Sequence, residues 1–298
     1  MYVPNELVRE DRTSHGYRRG RLIDPVTLVR AHALRRPGHL VTGFGAGAMY
    51  GMRHFCEDEP IEFLVPRGSR FSSVEGLRAH LRFRPSRSLE KHREMARRPD
   101  HRLPEIAVAA PGTALGHMLR RLREDCPDRE RRWRVPDLTA LREELSPEFI
   151  RQVQTSDAFH QAVGATNIGD PARITGVPVG VAAQVLGATD VGAESPPETL
   201  LRLVLADLAP GLRTQIPVWE DDGCLLSVAD IGWEEQRVYV FYDGEHHLQR
   251  GQRDHDSRVL FLLQRDGGRV HRVTAGQVSS AESVEELREA VRDGLYVH

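Results

Sequence analysis

Apolar and polar positions alternate most clearly between residues 224 and 248. Two apolar runs, 225–228 and 238–242, flank the polar turn Glu234-Glu235-Gln236, and their β-branched and aromatic content predicts a β-hairpin. Asp230 closes the first arm, and Asp243, followed by Gly244, closes the second. Alternation along the strand puts Tyr239, Phe241 and Asp243 on one face and Val238, Val240 and Tyr242 on the other. Ahead of the hairpin, 214–219 reads as a strand with Asp221-Asp222-Gly223 as its turn. Beyond it, 260–263 belongs to a helix, 269–273 alternates as a last buried strand, and 284–291 forms its partner helix. Ser195-Pro196-Pro197-Glu198 before Leu200, Leu201, Leu203, Val204 and Leu205 carries the capping-box signature of a helix start. From residue 195 the order is helix, three strands, helix, strand, helix.

The preceding chain is patterned differently. Residues 1–38 are polar and Arg-rich and read as a solvated leader, with Tyr17-Arg18-Arg19-Gly20-Arg21 as its densest cluster. The apolar stretch 39–44 runs into small residues at 45–52, a tight helix against a sheet, and 61–65 and 77–83 read as strands. Glu57-Asp58-Glu59 reads as a solvated loop, and 86–102 as a polar surface loop or exposed helical turn. Residues 103–109 are expected to form a strand. Pro111 then starts a helix in which Leu115, Met118, Leu119 and Leu122 recur at helical spacing. Two more helices are expected, one after Asp137 and one begun by Ser146-Pro147 with Ile150, Val153, Ala158 and Phe159 as its buried stripe. A small helical element at 174–186 leads to the Gly- and Ala-rich linker 187–194.

Length changes this picture little: 298 residues with 40% hydrophobic content make one large or two ordinary domains with a real core. The expected class is α/β, with an α+β region at 1–186, the linker, and a C-terminal domain at 195–298 built on a central mixed sheet flanked by helices. Cys56, Cys126 and Cys224 are odd in number and far apart, which indicates neither a disulfide framework nor a zinc site. No apolar run approaches the ~20 residues of a membrane span, and the first residues lack a signal-peptide pattern, so a cytoplasmic protein without membrane partners is expected. Net charge is -2, but residues from 195 onward carry 11 Arg against 18 Asp and Glu, a net -7, leaving +5 on the rest. Arg129, Arg131, Arg132 and Arg134 surround Trp133, a pattern suited either to gripping nucleic acid or to a loop with a packed tryptophan. Asp230 and Asp243, on neighbouring strands, are of the type that holds a hard divalent cation.

The run SPPET, VADIGW, VYVFYDGEHHL, RDHDSR and GGRVHRVT resembles the compact PD-(D/E)xK-fold domains related to very-short-patch-repair (Vsr-like) endonucleases. Actinobacterial proteins carry such domains behind regions resembling AbiEi-type antitoxins, which the first part resembles, although there is no room for their winged helix before His39. The family's central strand reads acid-x-Asp-Gly-x-x-His. Here Asp243, Gly244 and His247 match, and Phe241 stands where the acid belongs. The resemblance implies a PD-(D/E)xK core, Mg²⁺ held by Glu198, Asp230 and Asp243, and His247 positioning water or a phosphate oxygen. Glu198 thus has two readings, helix cap and metal ligand. The implied partner is DNA, and the implied activity is metal-dependent phosphodiester hydrolysis, weakened by Phe241 because magnesium demands near-ideal oxygen coordination. The alternative is a catalytically inactive DNA-binding or regulatory protein of a toxin-antitoxin or phage-defence system, with a protein partner.

Overall fold

A cluster of strands and helices built on short-range pattern forms each of two units. The computed structural model describes residues 8–10, 21–69, 81–124, 134–164, 168–220, 222–243 and 250–296. One unit comprises Met1–Trp133 and Ala158–Gly187, the other Arg134–Asp157 and Ala188–His298. The division therefore differs from the linear one at 187–194: a segment well ahead of the linker belongs with the C-terminal unit. Its apolar side chains supply part of that unit's core, which composition along the chain does not reveal.

In the first unit, β1 (Val8–Glu10) and β2 (Arg21–Ile23) pair antiparallel. Helix α1 (Pro25–Arg35) follows, capped by Asp24, whose carboxylate accepts from Thr27 N at 2.9 Å. Leu28 and Val29 of α1 are buried, and Arg30 grips Asp100 through two bonds of 2.7 and 3.0 Å, so this part of the expected leader is packed, not solvated. Strand β3 (Leu40–Thr42) runs into α2 (Gly43–Met49) and pairs antiparallel with β4 (Ile61–Pro66), which pairs in parallel with β5 (Leu81–Ser86). The small residues of α2 have a steric reason: a Cβ at Gly45 would lie 2.6 Å from Ile61 Cγ2. Polar α3 (Leu89–Glu94) lies within the expected loop.

Residues 103–109 do not make a strand. Only Val108 bridges, to Val41 on one side and Arg97 on the other. Helix α4 (Pro111–Arg123) buries Leu115, Met118, Leu119 and Leu122, the face its spacing indicates. The acidic run before β4 is also corrected. Glu59 is buried and accepts from Arg121 Nε at 2.9 Å, with both side chains 2% exposed.

The expected helix after Asp137 is replaced by turns around residues 138–145. Helix α5 (Pro147–Val163) follows, and α6 (Val179–Gly187) comes after a 3₁₀ turn at Pro171–Arg173. The second unit continues with α7 (Pro196–Leu205), β6 (Arg213–Trp219), β7 (Leu225–Trp233), β8 (Val238–Asp243), α8 (Arg250–Arg265), β9 (Arg269–Thr274) and α9 (Ala281–Tyr296). The sheet order is β6-β7-β8-β9, antiparallel except for the parallel pair β8-β9, whose connection contains α8. This is the α/β architecture with a mixed sheet and flanking helices.

The sheet separates two apolar clusters. Leu200, Leu201, Val204, Ile231, Trp233, Val240 and Val291 join Leu138, Leu145, Ile150 and Val153 in the larger one. Val218, Leu226, Val259 and Leu263 form the smaller, with Phe241 packed against them.

Candidate functional site

Strand geometry brings Asp230 and Asp243 to the same region of the second unit, but not as two strand ends. Strand β7 continues to Trp233, so Asp230 lies inside it. Pairing with β8 covers Ile231–Trp233 alone, and beyond that point the Asp230 carboxylate accepts the Tyr242 N–H at 2.6 Å in place of a strand partner. Burial pushes the Asp230 carboxyl up to about 6. The charges of Glu198, Glu194 and Asp243 push the same way, against the stabilising Tyr242 bond. Three other carboxylates thus act on Asp230, as an acidic site requires.

Their remaining bonds are structural. Glu198 accepts from the Ser195 hydroxyl at 2.6 Å and from Glu194 N at 2.8 Å, while Ser195 Oγ accepts from Glu198 N at 3.5 Å. Both oxygens of this buried carboxylate hold the start of α7, which favours the cap among the two readings of Glu198. Asp243 ends β8 and receives a two-pronged contact from Arg272, Nε to Oδ2 at 2.7 Å and Nη2 to Oδ1 at 2.6 Å. Arg272 is the residue that sequence reasoning missed as part of the site. It stands opposite Phe241 in the parallel β8-β9 register, and no local pattern announces a partner 29 residues away.

Phe241 has its own reason to be there: it packs with Val218, Leu226, Val259 and Leu263. A carboxylate at this position would leave water for that apolar cluster unless a cation met it. As arranged, the set does not fit Mg²⁺. The ion would need Asp243 released from Arg272, Glu198 released from its cap, and an oxygen ligand where Phe241 stands. Among the described residues no group of three or more His, Cys, Asp or Glu side chains is placed to hold a metal ion. His247, with Gly244 and Glu245, lies outside the described residues, as do Arg129, Arg131, Arg132 and Trp133. Arg134 is described and exposed.

No protein-family model matches the chain. No curated protein matches it. Among solved structures, it is similar to the RV2827C protein from Mycobacterium tuberculosis at 15% identity and a TM-score of 0.27. That likeness covers 57% of this chain and 60% of the other, and it is too slight to bear on function. Among the described residues, no helix is long and apolar enough to cross a membrane.

Proposed function

We propose that this chain is a DNA-binding protein whose second unit is derived from a Vsr-like PD-(D/E)xK endonuclease and whose acidic set now holds the fold instead of a catalytic metal. The observation that carries the reading is the mixed sheet β6-β7-β8-β9 after α7, with Asp230 and Asp243 on adjacent strands and Phe241 between them in sequence. Loss of hydrolysis follows from chemistry. Activating water and stabilising charge on phosphorus needs a cation fixed by carboxylates, and Arg272 takes both oxygens of the central one. The Arg-rich first part supports binding to a phosphate backbone, and an AbiEi-like regulatory role in a toxin-antitoxin or phage-defence pair accords with that binding. Arginine gives such contacts a bidentate geometry.

Two assays on the full chain test this. Duplex DNA should bind with an affinity that falls steeply as salt rises, and plasmid DNA should remain uncut in Mg²⁺ or Mn²⁺. Nicking that disappears in Asp243→Ala would establish a working nuclease and defeat the proposal. Failure to bind DNA even at low salt would defeat it from the other side.

A further inference from the structure

The first unit contains a cleft of about 940 Å³ along the opening turns of α4, with α3 on one side and residues 173–176 on the other. Glycines set its shape. A Cβ at Gly112 would lie 2.4 Å from the Arg173 carbonyl oxygen, and one at Gly116 would lie 2.0 Å from that of Thr175, so the wall closes only against bare backbone. The helix begins without a cap. Ala110 offers no side-chain acceptor, Pro111 has no N–H, and the amides of Gly112 and Thr113 find no acceptor among the described residues. Thirteen residues of aligned peptide dipoles therefore end in free donors.

A buried side chain points to the same ligand chemistry. His117, one turn beyond Thr113, is 5% exposed and lines the cleft, with Nδ1 2.8 Å from Thr42 Oγ1. Thr42 is fully buried and its hydroxyl has no second partner among the described residues, so its proton goes to Nδ1 and the ring carries its own proton on Nε2. Burial holds the imidazole neutral, its pKa lowered to about 3, with Arg120, Arg84 and His92 adding to the effect. The ring makes no hydrogen bond through Nε2 among the described residues, which leaves that N–H to the cleft His117 lines. Arg173 lines the cleft while pairing with Asp170 at 3.7 Å, and two further cations complete the surroundings. Lys91, the single lysine of the chain, and Arg97 both line the cleft, are exposed, and form no ion pair among the described residues. Glu94 is the one carboxylate in the lining and is exposed to solvent.

We propose that this cleft binds a phosphate-bearing small molecule, with the phosphate on the Gly112 and Thr113 amides and the His117 Nε2–H, and with Lys91 and Arg97 neutralising its charge. The volume is that of a ligand pocket and not of a lone ion. Met95, Ala96 and Pro111 offer an apolar wall for the organic part, as a nucleoside would need. The inference is independent of the reading of the second unit.

Calorimetric titration of the full chain with inorganic phosphate and with adenosine monophosphate, at constant ionic strength, tests it. Both should bind saturably, the nucleotide more tightly. The Lys91→Gln/Arg97→Gln double variant should bind each about tenfold more weakly while melting like the wild type, because neither side chain has an ion-pair partner among the described residues. The imidazole Nε2–H resonance of His117 should shift on saturation. Absence of saturable binding, or equal affinity in the double variant, would overturn the site, and displacement of the nucleotide by duplex DNA would overturn its small-molecule occupant.

Discussion

Asp230→Asn should stabilise the second unit near neutral pH and lose that advantage in acid. The native carboxyl titrates at about 6 against an ordinary 3.8, chiefly because it is desolvated, so between those values the folded state binds more protons than the unfolded one. Wild-type stability attributable to this group therefore falls as pH rises from about 4 to about 6, then levels off. At roughly 1.4 kcal/mol for each pH unit, the charged Asp230 costs up to about 3 kcal/mol at neutral pH. Partial access to solvent and the favourable Tyr242 N–H bond bring the expected gain in the variant to roughly 1–2 kcal/mol. Asparagine retains an oxygen to accept that N–H, so the strand contact survives. Urea denaturation followed by tryptophan fluorescence, to which the fully buried Trp233 contributes, gives the stability of each protein across pH. Asp157 also titrates near 6 because of burial, but it is common to both proteins and cancels in the difference. Parallel pH profiles for the two proteins, or a variant less stable at every pH, would refute the assignment of a buried, mutually repelling carboxylate.

Three further outcomes are expected. Glu59→Gln should destabilise the first unit by about 3 kcal/mol because it removes the buried carboxylate that buried Arg121 meets at 2.9 Å, whereas Arg82→Gln, which removes an exposed pair with Glu124, should cost below about 1 kcal/mol; thermal melts compare them. Gly116→Ala should cost the first unit about 2 kcal/mol or more by driving a methyl against the Thr175 carbonyl, while Gly180→Ala in α6, with nothing within 4 Å of the added carbon, should be neutral or slightly stabilising in the same melts. Cys56, buried and with its thiol pushed up to about 12 by burial, should resist a thiol reagent until the first unit unfolds, and exposed Cys224 should react at once; mass spectrometry of the labelled peptides distinguishes them.

What the sequence made legible was local in origin. The period of Leu115, Met118, Leu119 and Leu122 located a buried helix face, the Ser195–Glu198 spacing located a cap, and alternation at 238–242 located β8, because each signal is written within a few residues. Partners distant in sequence were not legible. Nothing near Glu59 indicates that Arg121 will meet it in the core, and nothing in residues 103–109 says that the neighbouring strand edge accepts Val108 alone. The candidate site divided along the same line. Asp230 and Asp243 could be named from strand pattern, whereas the Arg272 contact depends on the β8-β9 register set through a crossover. The end of β7 was misjudged because a polar Asp inside a strand looks like its terminus, when the carboxylate is in fact filling a gap in the ladder.

The interruption of the second unit by residues 158–187 limits how this architecture can be rearranged genetically. A crossover in the glycine-rich stretch at 187–194 would pass on the mixed sheet without Leu138, Leu145, Ile150 and Val153, leaving its larger apolar cluster open to water. The recipient would inherit an aggregation-prone sheet, and the donor remnant would keep a segment with no core to enter. A recombination that keeps the second unit folded must carry residues 134–157 along with 188–298.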